Sequence, residues 1–163
     1  MDRSKRLFLK LAFGAGILSL QQFAWEKSLD TIALLQSDLF PAMPNGIDVH
    51  TIHARAYLAH ILRHPRVSLR QKRIIYQGVV QIEQLARKRY GATYAELAAK
   101  KRQALLAQIA QTPWGEEFIQ EMLGFIFEAL LGDPIYGINK DAIGWKWTRH
   151  VPGLPRPSHP AWE

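Results

Sequence analysis

The chain has 163 residues, 48% of them hydrophobic and 21% charged, which fits one folded domain and excludes an intrinsically disordered chain. It contains no cysteine, so disulfides, thiolate metal sites, covalent haem attachment and cysteine nucleophiles are excluded. The net charge of +7 invites a nucleic-acid reading, yet Arg3, Lys5, Arg6 and Lys10 face a single acid, Asp2, in residues 1–24, which leaves only +4 on the body.

The short basic stretch Arg3 to Lys10 precedes ten uncharged residues, Leu11 to Leu20, a layout that predicts an export signal over residues 1–24. Ten residues are too few to span a bilayer as a helix, so no membrane span is expected there. Ser4-Lys5-Arg6-Leu7-Phe8-Leu9-Lys10 resembles the twin-arginine signal, with Lys5 in place of the first arginine. Lysine keeps the charge but lacks the planar fork of donors. Gln22-Phe23-Ala24 is a poor match to a cleavage site. The competing interpretation is a first helix with a basic start.

An all-α body of about five helices is expected over residues 25–132. Glu26 to Leu39 has Leu29, Ile32, Leu35 and Leu39 at near-helical spacing and is ended by Pro41 and Pro44. Thr51 to His64 precedes Pro65. Ser68 caps a long helix, Leu69 to Tyr90, in which Ile75, Gly78, Val79, Ile82 and Ala86 form one stripe and Gly91 is the stop. The Thr93 to Glu96 pair has capping-box spacing and predicts a helix from there to about Ala110. Thr112-Pro113 opens the last helix, to Leu131, which is apolar around more than half its circumference and therefore either the core helix or an interface helix. The basic residues Arg70, Lys72, Arg73, Arg87, Lys88, Arg89, Lys100, Lys101 and Arg102 fall on these helices as a solvated face, and nucleic acid is not an expected partner.

Residues 133–163 contain many helix breakers, among them Pro152, Pro155, Pro157 and Pro160, and predict an extended tail. The tail also holds Tyr136, Trp145, Trp147 and Trp162, rings that serve either as anchors on a partner or as a seal over the chain's own core.

Chemistry of its own has a thin basis. His53, His60 and His64 share one helical face, with His50 nearby, and offer a metal site as the alternative function of a stand-alone exported protein. No Gly-x-Gly-x-x-Gly, Walker loop or Gly-x-Ser-x-Gly elbow is present, so no catalytic or cofactor-binding residue is assigned. Glu116, Glu117 and Glu121 near a helix start suit the helix dipole better than paired-carboxylate chemistry.

The segment Asp133-Pro134-x-Tyr136-Gly137-x-Asn139-x-Asp141-x-x-Gly144-Trp145-Lys146 resembles the C-terminal signature of the gluconate 2-dehydrogenase subunit 3 family, with Leu39-Phe40-Pro41 and the export-like start in similar places. The family usually has a second glycine where Ile138 stands, and a positive φ there would strain isoleucine. The resemblance implies a non-catalytic small subunit of a periplasmic dehydrogenase complex, tied to the inner membrane through that complex. Its catalytic partner would be a large FAD-containing subunit of the glucose-methanol-choline type, with a multihaem c-type cytochrome subunit reached indirectly. The small subunit would serve export, maturation and stability of the flavoprotein. Asp133, Pro134, Tyr136, Gly137, Asn139, Gly144, Trp145 and Trp147 are the partner-binding candidates on this reading, with FAD and haem c held by other subunits.

Overall fold

The computed structural model describes residues 29–44 and 46–160, which form an all-α bundle with no strand among the described residues. The export-like residues Ser4, Lys5, Arg6, Phe8, Leu9 and Lys10, the expected helix start at Glu26, and Trp162 lie outside the described residues. In chain order the helices are α1 (29–39), α2 (Ala54–Arg63), α3 (Leu69–Tyr90), α4 (Ala99–Ile109), α5 (Pro113–Leu131) and α6 (Ile143–Thr148).

The two longest helices start and stop as their caps dictate. Ser68 accepts from the Gln71 amide at 3.1 Å at the head of α3, and Gly91 closes it in the left-handed conformation, φ 69°. Thr112 accepts from the Gly115 amide at 3.2 Å ahead of Pro113 in α5. Helix α5 is the core helix. It packs against α2, α3, α4 and α6 and buries Phe118, Met122, Phe125, Ile126, Ala129 and Leu130. Gly78 of α3 lies where Phe118 crosses; a β-carbon there would come within 2.0 Å of the ring, so the α3–α5 approach requires glycine.

Two elements are shorter than their patterns suggested. Helix α2 begins at Ala54, not Thr51, because the Asp48 carboxylate accepts from the His50 and Thr51 amides and holds a turn ahead of the helix, and His53 then takes a left-handed φ of 53°. The Thr93–Glu96 capping box is formed, but it opens a single 3₁₀ turn, Tyr94–Glu96. Leu97 is buried in an extended conformation just after it, and α4 starts afresh at Ala99.

Polar ties hold α1 to this frame. Glu83 of α3 accepts from Thr31 Oγ1 at 2.8 Å and from the Tyr94 amide at 3.2 Å. Asp38 accepts from the Tyr94 hydroxyl at 2.8 Å and from Arg102 Nε at 2.6 Å and Nη2 at 3.2 Å, while Arg102 Nη1 donates to the Leu97 carbonyl. Arg102, counted from sequence among a solvated basic face, is therefore an internal strut.

After α5 the chain folds back on itself. Residues 134–136 and 140–142 form 3₁₀ turns and Ile143–Thr148 is helical, so the expected extended tail is instead a compact return up to Thr148. Four residues of this reversal are left-handed: Gly137, Asn139 and Asp141 take φ of 76°, 47° and 56°, in the region glycine, asparagine and aspartate tolerate best, and Ala142 takes 54°, which that preference does not explain. Ile138 has no positive φ; its side chain packs on Gly132, and the turn is made by its two neighbours. Residues 149–160 carry no helix or strand.

Candidate partner-binding surface

Helix α5 ends with carbonyls that need donors, and the signature residues supply them. The Asn139 amide donates to Ala129 O at 2.9 Å, Asn139 Nδ2 donates to Gly132 O at 2.9 Å, and Trp145 Nε1 donates to Leu131 O at 2.7 Å. The Asn139 Oδ1 atom accepts from the Gly144 amide at 2.8 Å, so one buried side chain caps the end of α5 and the start of α6 together. Gly144 is where α6 touches α5: a β-carbon would sit 1.8 Å from the Leu130 carbonyl oxygen. Asp133 accepts from the Ile135 amide at 3.0 Å and pairs with Arg156 at 2.6 Å. The Arg156 guanidinium also lies 4.7 Å above the Trp145 ring, which His150 meets edge-on at 5.1 Å.

Of the eight partner-binding candidates, Asn139, Gly144 and Trp145 point inward and are buried in this closure. Asp133, Pro134 and Tyr136 are half-buried, Gly137 is exposed, and Trp147 is 40% exposed. The buried members therefore build the platform, and Tyr136, Gly137 and Trp147 are the members at its surface.

That platform borders a groove. Helix α2 lies across from Tyr136 and Ile138, enclosing two adjoining hollows of about 240 and 500 Å³ that share Tyr57, His60, Tyr136 and Ile138. Tyr57 spans the groove and donates to Glu128 Oε2 at 2.7 Å. Burial first, then this bond to an anion, pushes the Tyr57 hydroxyl well above its ordinary value. The sequence does not single out Tyr57, Glu128 or Arg156, and it marks Ile138 only as a departure from the family pattern. Tyr57 lies between His53 and His60 on their helical face, which was the one available signal.

The histidines do not converge. His53 precedes α2 in a left-handed residue, while the His60 and His64 rings are 6.1 Å apart and tilted 45° to one another. His64 Nδ1 accepts from the Arg66 amide at 3.3 Å. Among the described residues no set of three His, Asp or Glu side chains is placed to hold a metal ion, so the alternative site at His53, His60 and His64 lacks the geometry it requires.

A family model, gluconate 2-dehydrogenase subunit 3, matches residues 26–153, which takes in the bundle, the groove and the α5–α6 closure. The chain belongs to this family. As a member of the subunit 3 family it is a subunit of a gluconate 2-dehydrogenase-like complex. No curated protein and no solved structure matches the chain. No described helix of this subunit 3 member is long and apolar enough to cross a membrane.

Tyr57 and Tyr94 set an alkaline limit on the fold. Burial and a carboxylate partner raise both hydroxyls above the ordinary value of 10.0. A raised folded value means that stability is fully present below pH 10 and is lost as pH climbs past it, because the unfolded chain ionises first. Melting temperatures from pH 8 to 11.5 are expected to fall above pH 10. The Tyr57→Phe/Tyr94→Phe variant starts lower, having lost two hydrogen bonds, but declines less steeply; an equal slope removes these tyrosines as the cause.

Proposed function

We propose that this chain is the non-catalytic small subunit of a periplasmic flavin-dependent dehydrogenase complex. It binds the large FAD-containing catalytic subunit, carries it through export on the signal of residues 1–24, and stabilises its folded, FAD-loaded form. Family membership over residues 26–153 is the observation that carries this reading. It is supported by a basic and apolar N-terminus of export type and by a sequence with no Gly-x-Gly-x-x-Gly loop. In this reading residues 25–132 form the helical domain and residues 133–163 the signature region, and FAD and haem c reside in the other subunits. The complex, through its cytochrome subunit, holds this chain at the inner membrane.

The physical basis is mass action. A partner that binds only the native flavoprotein stabilises it by roughly 2.7 kcal/mol when present at a hundred times its Kd. Tyr136, Gly137 and Trp147 are the partner-binding candidates that would touch that partner, and the buried closure behind them keeps their geometry fixed.

Affinity isolation of the tagged full-length chain from its native host is expected to bring down a large, yellow, FAD-containing protein. Removing residues 1–24 is expected to leave that complex intact but strand both proteins in the cytoplasm. Trp147→Ala, at an exposed site, is expected to leave the melting temperature of the isolated chain within about 2 °C of the parent while weakening co-purification. A chain that emerges alone and monomeric, with no flavoprotein beside it, ends this reading.

A further inference from the structure

Helix α3 covers the core with one side and exposes the other. Leu69, Arg73, Tyr76, Val80, Gln84 and Arg87 follow one another at spacings of three and four, so they line up as a single ridge about 27 Å long. All six are exposed, with Leu69, Tyr76 and Val80 at 75%, 42% and 54%. Exposed Gln77 and Lys88 flank the ridge, and Arg63 of α2 is close enough to Tyr76 to act on its hydroxyl. No acid stands on this face of α3. Glu83, the only acid of the helix, turns to Thr31 and to the Tyr94 amide. Arg70 at the edge is paired with Glu117, whereas Arg73, Arg87 and Lys88 enter no ion pair among the described residues. Glu96 feels the charge of Arg87 but is held by the Thr93 amide and hydroxyl.

What covers such a ridge must be anionic and must accept a convex shape. A second copy fails in either orientation: Arg73 stands toward one end and Arg87 and Lys88 toward the other, so parallel and antiparallel pairings both set cation on cation. Residues 1–24 of the chain, with four cations against one acid, are repelled in the same way. A protein hot spot has a charge-depleted apolar centre, and here Arg73 divides Leu69 from Tyr76 and Val80. A nucleic-acid strand is gripped by a cationic groove with several stacking rings, and this surface is a ridge with Tyr76 as its one ring. A bilayer imposes no such demands. Its headgroup phosphates meet Arg and Lys anywhere along a helix, while tyrosyl and aliphatic side chains dip between the headgroups.

We propose that the outer face of α3 lies flat on an anionic bilayer. Arg73, Arg87 and Lys88 meet lipid phosphates, and Leu69, Tyr76 and Val80 enter the headgroup layer without the helix crossing the membrane. The inference goes beyond the proposed complex: it gives this chain a lipid contact of its own, separate from the tether through the cytochrome subunit.

Because the chain has no cysteine, one introduced thiol carries a polarity-sensitive fluorophore to a single place. The full-length chain is labelled at Val80→Cys on the ridge or at Gln120→Cys, an exposed site on α5. Both carry Arg3→Gln, Lys5→Gln, Arg6→Gln and Lys10→Gln, so that the export-like segment does not supply the attraction. Vesicles of phosphatidylcholine containing phosphatidylglycerol are expected to shift the Val80→Cys emission to the blue, and vesicles of phosphatidylcholine alone to leave it unmoved. The Gln120→Cys label is expected to stay unmoved on both, and a label at Gln84→Cys, one turn on, to repeat the Val80→Cys result. Adding Arg73→Gln, Arg87→Gln and Lys88→Gln is expected to leave the melting temperature unchanged and to weaken vesicle binding roughly a hundredfold, at about fivefold per cation. Equal shifts at the α3 and α5 sites, equal shifts on charged and neutral vesicles, or undiminished binding by the variant lacking the three cations would overturn the proposal. So would a matching shift with inorganic phosphate or with a single-stranded oligonucleotide. A Val80→Cys label silent on vesicles but moved by the flavoprotein gives the ridge to the protein interface; the bilayer contact then falls and the small-subunit reading stands. If no flavoprotein is recovered with the parent chain while charged vesicles still shift the label, that reading fails and the lipid contact stands.

Discussion

Replacing Asn139 by alanine is expected to lower the melting temperature of the isolated chain by about 10 °C. The side chain is fully buried and both of its ends are engaged, Nδ2 with Gly132 O and Oδ1 with the Gly144 amide. Each of those backbone groups would be left without a partner in a closed site, at about 1–3 kcal/mol apiece. Alanine would also have to hold φ 47°, a conformation that Ala142 adopts at φ 54° but that costs alanine more than asparagine, by about another 1 kcal/mol. A loss of roughly 3 kcal/mol in a domain of this size corresponds to about 10 °C. Asn139→Gly separates the two causes, since it restores the left-handed conformation and leaves the hydrogen bonds missing; it is expected to recover about 1 kcal/mol of the loss. Thermal unfolding followed by circular dichroism decides the matter, and a drop under about 2 °C for Asn139→Ala would mean that the cap is dispensable. In the complex proposed above, the same variant is expected to weaken co-purification of the partner, because the α5–α6 closure holds Tyr136 and Trp147 in place.

This closure also explains how far the sequence could be read. The signature Asp133 to Lys146 could be recognised as a pattern, and its family assignment holds. Its structural logic could not be read, because breakers count against a helix when each residue is weighed alone. Gly144 stands inside α6 for a reason that appears only when α5 is beside it: the Leu130 carbonyl occupies the space of a side chain. Asn139 looks like a loop residue by propensity and acts as a double cap through partners at Gly132 and Gly144. Trp145, taken as an anchor or a seal, spends its indole N–H on Leu131 and belongs to the seal.

Elsewhere local signals were sufficient where the determinants are local. Ser68 with Gly91 and Thr112 with Pro113 define α3 and α5 to the residue, because caps act within one turn. The Thr93–Glu96 box was equally genuine, yet tertiary packing of Leu97 cut the helix to one turn. The groove between α2 and the 134–138 turn joined two features that looked unrelated in sequence, the His60 face and the signature. No spacing rule links residues some 75 positions apart. The choice between a core and an interface role for α5 was likewise open in the sequence. Its inward face is core, while Gly124 is exposed and Phe127 and Leu131 are 42% and 37% exposed.

Removing the Asp38 carboxylate is expected to be the most damaging single change outside the C-terminal closure. Asp38 on α1 reaches Arg102 on α4 across 64 residues, and the two side chains are 8% and 16% exposed. Alanine at position 38 would leave the Arg102 guanidinium and the fully buried Tyr94 hydroxyl without their acceptor. Breaking one side of a buried pair costs about 3–5 kcal/mol, and the residual exposure of Arg102 favours the lower end, so a fall of about 10 °C in melting temperature is expected. Most of that cost is the stranded cation, not the loss of a strong bond. The Asp38→Leu/Arg102→Met/Tyr94→Phe variant, which removes all three polar groups, is therefore expected to recover most of the stability, and an additive triple loss would refute this account. The network also sets how α1 enters the bundle, because α1 leads into Phe40, whose ring meets Phe127 of α5 edge-on at 6.1 Å. Asp38→Ala is therefore expected to loosen that ring pair as well as to lower stability. The apolar triple variant, with α1 still seated, is expected to restore both together.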